Sequence, residues 1–432
     1  MLSIQYLRDH PDEARARLAT RHSDFPLDEA LSLDQEYRKL LHQAEDLRAR
    51  RNEVSKDLGR VRNESPEAFE RLRAEMREVG ARISTLETVI AEQESRLQDL
   101  LLQLPNLPDP SVPLGDGEED NVIGPSIGTP RSFDFEPLPH WDLGERLDII
   151  DFERGVKLSG SRFYVLKGIG ARLQRAMITW MLDFHIAQGY IEIYPPALVK
   201  EEILYGAGQL PKFRDNLYRD AEEDLFLIPT AEVPVTNLYR DEILPPGSLP
   251  IYHVAYTPCF RREKVSAGRD VRGIKRVHQF DKVEMYKFVE PATSMDELER
   301  MLEGAQELCR MLDIPHRVVE ICSGDLGFSA AKTYDIEIWA PGCQEWLEVS
   351  SISNCGNFQS RRANVRYRPE PNALRPGSGQ ARPQFMHTLN GSGLALPRTM
   401  IAILETYQQS DGSVVIPDTL KPYMGGIEVI RV

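Results

Sequence analysis

Two apolar stripes with heptad spacing, running through residues 28–104, constrain this chain more than any other feature of its sequence. In the first, Leu33, Tyr37, Leu40, Ala44, Leu47, Val54 and Leu58 recur at alternating steps of three and four, and Arg51 occupies the one slot without an apolar residue. The second comprises Phe69, Leu72, Met76, Val79, Ile83, Leu86, Ile90, Leu97, Leu100 and Leu104, interrupted only by Gln93. Such a stripe, set among Glu, Arg and Gln, is a seam that another helix must cover. Between the stripes, Gly59 suits a helix end, and Ser65-Pro66 suits a helix start with Pro66 at its first position. The pattern predicts two long helices folded back as an antiparallel hairpin. The second, of about 38 residues, would extend roughly 55 Å at ~1.5 Å per residue and protrude from any globular body.

The stripe ends where four prolines fall between Pro105 and Pro113, a semi-rigid linker followed by an acidic loop from Gly115 to Asn121. From about residue 130, short β-rich runs such as Phe163–Leu166, Tyr190–Tyr194 and Lys282–Phe288 mix with amphipathic helices. The β-runs come in sequential pairs, which favours an α+β domain on an antiparallel sheet over a regular βαβ repeat. The expected organisation is an N-terminal domain with the hairpin arm over 1–104, a linker and acidic loop over 105–121, and an α+β domain over 122–432. With 432 residues, 41% apolar and 28% charged, the chain has the balance of a globular protein of two or three domains.

The net charge of −15 argues against DNA or other nucleic acid binding non-specifically over the whole surface. A local patch is a different matter. Between Arg48 and Arg77 there are nine Lys or Arg residues against six acids, a local excess of +3 near the far end of the hairpin. A solvated coiled-coil face with i,i+4 ion pairs accounts for some of these charges but not for their position. The first residues show no secretory signal, and no apolar run is long enough for a membrane span. Cys259, Cys309, Cys322, Cys343 and Cys355 are odd in number and widely spaced, as expected of reduced thiols in a cytoplasmic protein.

Neither phosphate-binding glycine motif is present, so any nucleotide must be held in another way. Three segments become informative together. Gly189-Tyr190-Ile191-Glu192-Ile193-Tyr194-Pro195-Pro196 follows a helix expected over 171–188. Cys259-Phe260-Arg261-Arg262-Glu263 and Arg276–Glu284 flank the loop Ser266-Ala267-Gly268-Arg269-Asp270-Val271-Arg272-Gly273. Asn390-Gly391-Ser392-Gly393 leads through Pro397-Arg398 into an apolar helix. A triphosphate needs fixed cations, and arginine offers bidentate donors that stay charged, while an aromatic such as Phe280 can stack on a base. The three segments resemble the signature motifs of class II aminoacyl-tRNA synthetases, and the S-A-G-R-D-x-R-G loop is close to that of seryl-tRNA synthetases of bacterial type. Thr230-Ala231-Glu232 and Glu348-Val349-Ser350-Ser351 match further motifs of that family, and the resemblance runs from the arm to Tyr423-Met424-Gly425-Gly426. The sequence departs from the family at Arg262, where Ser is frequent, at Lys264-Val265, where Ala-Gly is frequent, and at Pro397, where Gly is usual.

The resemblance implies an ATP-dependent serine–tRNA ligase. Serine would be activated to seryl-adenylate and then passed to the transfer RNA for serine, and to that for selenocysteine where one is present. It implies Arg261, Glu263 and Arg398 as catalytic residues, and Thr230, Ala231, Glu232, Glu284 and Ser392 as the serine pocket. It further implies Arg261, Arg262, Glu263, Phe280, Glu348, Val349, Ser350, Ser351 and Arg398 as the ATP site, with Glu348 and Ser351 on Mg²⁺. Which of Glu232 and Glu284 takes the ammonium of serine stays open. Arg48, Arg51, Lys56, Arg60 and Arg62 on the arm, with Arg269 and Arg272 in the loop, are the implied transfer RNA contacts. Homodimers form through the first motif in this family, and Trp180, Met181 and Phe184 on its helix are expected to be exposed for that contact. Two rivals remain: a synthetase-like paralog that loads a carrier protein, which need not carry the arm, and a noncatalytic RNA-binding scaffold, which need not carry all the charged residues above.

Overall fold

Heptad packing makes the first 105 residues largely a world of their own. The computed structural model describes the chain outside residues 265–271, 371–381 and 432, and outside the side chains at 58, 59, 63 and 64. It divides into two units. One contains residues 2–19 and 23–105, the other Met1, Thr20–His22 and Asn106–Val432.

The first unit is dominated by helices α1 (Leu27–Glu64) and α2 (Pro66–Gln103), each of 38 residues. They pack along the seam through Leu33, Ala44, Ile83, Leu97 and Leu101. Leu97 and Leu104 of the expected stripe are buried, Leu100 between them is half-buried, and Leu101 is buried in addition. Arg48 reaches Glu87 across the hairpin at 2.6 Å, and Arg50 reaches Glu75. The expected helix end at Gly59 is not where α1 stops. It continues to Glu64, and the turn is Ser65 alone, whose hydroxyl caps α2 by accepting from the Ala68 amide at 3.4 Å. One glycine costs a helix only about 1 kcal/mol, which cross-helix packing on both sides of it offsets.

In the second unit, an eight-stranded sheet is built from β1 (Val122–Ile123), β2 (Ile191–Ile193), β3 (Ile251–Phe260), β4 (Gln279–Val289), β5 (His316–Glu320), β6 (Lys332–Ala340), β7 (Glu345–Asn354) and β8 (His387–Ala395). Their spatial order is β1-β5-β6-β7-β8-β4-β3-β2. Every pairing is antiparallel except that of the edge strand β2 with β3. Helices α3 (Ile169–Ala187), α4 (Ser294–Met311) and α5 (Leu396–Thr406) contribute to one continuous core with the sheet. Alternation along β4 separates two faces. Val283, Met285 and Val289 join the core with the helices, while Tyr286 and Phe288 enter a second cluster with Ala231 and Val235. Lys282 and Glu284 share the parity of Tyr286 and therefore its face.

The expected exposure of the α3 face is overturned. Trp180 and Met181 are 3% and 0% exposed, and Phe184 packs against the same core. A stripe of apolar residues shows that something covers it, but not that the cover is another chain. The proline-rich segment packs as part of the second unit: Leu107 and Val112 are buried, and the Asn106 side chain donates to the Ser329 and Cys355 carbonyls. Among the described residues no helix is long and apolar enough to cross a membrane.

Candidate active site

Strands β3 and β4 deliver the second motif to the open end of the sheet. Arg261 follows β3 directly, and its backbone amide donates to the His278 carbonyl at 2.9 Å, extending the hairpin one residue past the strand ends. Its guanidinium donates to the Pro229 carbonyl at 3.3 Å and lies 5.0 Å from the centre of the Phe280 ring. Glu263 is buried with φ 49°, a left-handed conformation that costs a non-glycine residue energy, and its carboxylate receives Arg276 Nη1 at 3.1 Å.

A buried brace sets the return of this hairpin. The Ile274 amide donates to His140 Nε2 at 3.1 Å, so the ring proton lies on Nδ1, which meets Glu405 Oε1 at 2.9 Å. Glu405, in α5, also accepts from the amides of Gly342 and Cys343, each at 2.9 Å. Burial pushes the His140 pKa down, which keeps the ring neutral. Burial alone would push Glu405 up, but the hydrogen bonds from His140 and Cys343 hold it below the usual range. The third motif's helix is thereby tied to the segment that carries Lys275 and Arg276.

The carboxylates of the expected serine pocket meet on the site face of the sheet. Glu284 stands opposite Ala255 on one side and Ser392 on the other in the strand register. Its charge is answered by Lys282, whose ammonium also donates to Thr230 Oγ1 at 2.8 Å. Glu232 is held by neutral donors, Gln359 Nε2 at 2.6 Å and Asn390 Nδ2 at 3.1 Å. Among the described residues no cation pairs with it. Burial, with the charge of Glu284 second, pushes its pKa up to about 7.

On β7, Ser351 stands opposite Asp335 and Glu348 opposite Glu337. Arg398, in the first turn of α5, donates to the Glu348 carbonyl at 2.6 Å and lies 3.3 Å from its carboxylate. Pro397 fits that turn because the missing N–H needs no partner there. Burial, followed by the charge of Glu348, raises Asp335 well above the usual carboxylate range.

These groups line one cavity of about 400 Å³: Thr230, Glu232, Arg261, Glu263, Phe280, Glu284, Glu348, Val349, Ser351, Ser392 and Arg398 all border it. Ala231 is fully buried behind it, and Ser350 lies beneath the lining with its hydroxyl on the Ser392 carbonyl at 2.6 Å. The Arg262 side chain is exposed and does not border the cavity. Arg272 lies outside the lining as well, 4.7 Å over the Trp141 ring and 3.5 Å from Asp142. Arg269 and Val265 lie outside the described residues. Sequence reasoning missed Lys275, Arg276, Lys282 and Asn390 in the lining. Lys282 and Asn390 each stand two residues from a motif residue on a strand, so period-two alternation could have found them. Gln359, His140 and Glu405 meet their partners across long sequence separations and carry no local signal, and Asp335 faces Ser351 only through the pairing of β6 with β7.

The family model described as "tRNA synthetase class II core domain (G, H, P, S and T)" matches residues 213–407, and "Seryl-tRNA synthetase N-terminal domain" matches residues 1–108. The chain is 61% identical to a serine–tRNA ligase of Roseiflexus sp. (strain RS-1) over 432 residues, 100% of both chains. The chain belongs to the seryl-tRNA synthetase family. It is also 60% identical to the serine–tRNA ligase of Thermomicrobium roseum, with 99% of this chain and 94% of that one covered. The structure of the Pyrococcus horikoshii seryl-tRNA synthetase complexed with ATP superposes with a TM-score of 0.93 at 38% identity, covering 100% of this chain and 99% of that one. A cytoplasmic Naegleria fowleri serine–tRNA ligase in complex with AMP gives 0.87 at 31%, with 100% and 99% covered.

Proposed function

We propose that this synthetase activates L-serine with ATP and passes the seryl group to the 3′ end of its transfer RNA, in the cytoplasm. The observation that carries this reading is one cavity bordered by both a carboxylate pocket and a set of arginines. The first step joins a serine carboxylate oxygen to the α-phosphorus and releases pyrophosphate. It demands alignment and neutralisation of negative charge more than proton transfer. Arg261 faces the α-phosphate, Arg398 the outer phosphates, and the Phe280 ring the adenine. Glu232 is assigned to the serine ammonium, because Glu284 already has Lys282 as its cation. An ammonium arriving at Glu232 removes the cost of a buried charge and displaces the proton it holds near neutral pH. Glu284, Thr230 and Ser392 remain for the hydroxyl.

Magnesium fits the donor set. Glu348 and Ser351 present hard oxygens, and Asp335 beside them keeps one carboxylate oxygen without a hydrogen-bond partner among the described residues. When bound there, the ion would neutralise phosphate charge.

ATP–pyrophosphate exchange tests the reading when paired with transfer RNA charging. Serine is expected to support exchange, and alanine and threonine to do so at least about a hundredfold less well. Without the hydroxyl the pocket's polar groups are buried unpaired, and with an extra methyl the pocket is overfilled. Equal exchange with alanine would remove the assignment of Thr230, Glu284 and Ser392 to the hydroxyl. Exchange without charging would favour a carrier-loading enzyme.

Assembly as a homodimer rests on a different surface from the α3 face. β2 is a sheet edge, and Ile191, Tyr194 and Leu198 around it are 60%, 84% and 49% exposed. An apolar sheet edge is the place a second copy would cover. Sedimentation at micromolar concentration is expected to give twice the 49.2 kDa chain mass, and Tyr194→Asp to shift it toward monomer. Only the single-chain mass in the unaltered protein would exclude the dimer.

A further inference from the structure

One wall of the cavity, Gly327 to Ala330, is a turn outside helix and strand, in which the Ala330 amide donates to the Gly327 carbonyl at 3.1 Å and the other carbonyls have no partner within the loop. All five carbonyls from Leu326 to Ala330 are nevertheless taken, by two residues from far away in the sequence. Arg21 Nη1 donates to the carbonyls of Leu326 at 3.0 Å and Gly327 at 3.3 Å, and Nη2 to that of Ala330 at 2.6 Å. The Asn106 backbone amide donates to Phe328 at 2.9 Å, and its side-chain Nδ2 to Ser329 at 2.9 Å and to Cys355 at 2.8 Å. Both residues fall within the stretch matched by the N-terminal domain model, yet both pack in the unit that holds the cavity.

We propose that Arg21 and Asn106 are positioning residues for the amino-acid end of the active site, fixing the Leu326–Ala330 wall by holding its carbonyls. Arg21 is 7% exposed, and among the described residues no carboxylate pairs with it, so its charge rests on carbonyl dipoles alone. Burial pushes its pKa only to about 10, which leaves it charged at neutral pH. The link onward is short. The Ser329 hydroxyl donates to the Ala207 carbonyl at 3.3 Å, and that carbonyl also accepts Gln359 Nε2 at 3.1 Å, the atom that holds Glu232. Asn390, the other donor to Glu232, approaches Cys355, whose carbonyl Asn106 holds. A wall that drifts to find water for its carbonyls therefore disturbs Glu232 before it disturbs the arginines at the ATP end.

The inference rests on the serine-activating reading, and the two fail separately. Serine-dependent ATP–pyrophosphate exchange is measured without transfer RNA on the full chain, as wild type and as Arg21→Met, Arg21→Lys and Asn106→Ala, with unfolding temperatures recorded. Arg21→Met and Asn106→Ala are each expected to raise the serine KM about tenfold, as expected for buried carbonyls left unpaired. The ATP KM is expected to move less than about threefold. Arg21→Lys should fall between wild type and Arg21→Met, since an ammonium keeps the charge but not the planar fork. Wild-type serine KM in both folded variants, or serine and ATP KM rising together, would overturn the proposal. Should Arg21→Met not fold, the KM split in Asn106→Ala decides alone. A wild-type protein without serine-dependent exchange would instead overturn the reading of the activity.

Discussion

Arg261→Ala is expected to lower serine-dependent exchange by about two to three orders of magnitude while leaving the unfolding temperature near that of the wild type. The two expectations have separate physical grounds. In the fold, the Arg261 side chain makes one hydrogen bond among the described residues, to the Pro229 carbonyl, and lies 5.0 Å from the centre of the Phe280 ring. Removing one hydrogen bond of that kind costs about 1 kcal/mol. In the proposed reaction it would face charge that grows in the transition state, where removing one fixed donor costs ~10²–10³ in rate. Arg261→Lys should recover little, because a point charge cannot make the paired hydrogen bonds of a guanidinium. A folded Arg261→Ala protein with near-normal exchange would show that the α-phosphate is held elsewhere. Lys275 and Arg276, which border the same cavity, would be the next residues to test.

Replacing residues 28–104 by a short linker is expected to leave exchange nearly unchanged and to lower transfer RNA charging by orders of magnitude, mainly through weaker binding. Those residues lie wholly in the first unit, while every cavity-lining residue lies in the second, together with Arg21 and Asn106. The charge near the hairpin tip suits a phosphate backbone. Arg48 and Arg60 are partly answered by Glu87 and Asp57, whereas Arg51 and Lys56 are exposed and, among the described residues, have no acid partner. Arg62 lies 5.9 Å over the Phe69 ring. Every phosphate that the arm no longer neutralises should reduce the slope of log affinity against log salt by about 0.7–0.9. The double variant Arg51→Glu, Lys56→Glu should therefore weaken charging and flatten its salt dependence, with exchange as an internal control. Full charging by the armless protein would leave the arm a role in assembly only.

What the sequence determined by itself was local and periodic. The arm was legible because a heptad stripe needs only its own spacing to be recognised, and Ser65-Pro66 marked the start of α2 correctly. The motif residues were legible because they stand in short segments that resemble the signature motifs of the family, with residue types that suit a triphosphate and an ammonium. Thr230, Glu232, Arg261, Glu284, Glu348, Ser392 and Arg398 do border one cavity. Tertiary structure decided everything that depends on which surface covers which. It buried Trp180 and Met181 under the helices and sheet of their own chain, and it carried α1 through Gly59 because packing along the hairpin outweighs one unfavourable residue. It turned Arg262 away from the cavity that Arg261 faces, since neighbours on extended chain point to opposite sides. It also made the two clamps that hold the site's backbone. His140 meets Glu405 across 265 residues, and Arg21 meets Ala330 across 309. Periodicity reports a face but not its partner, so pairings of that separation leave no trace in the spacing of residues along the chain.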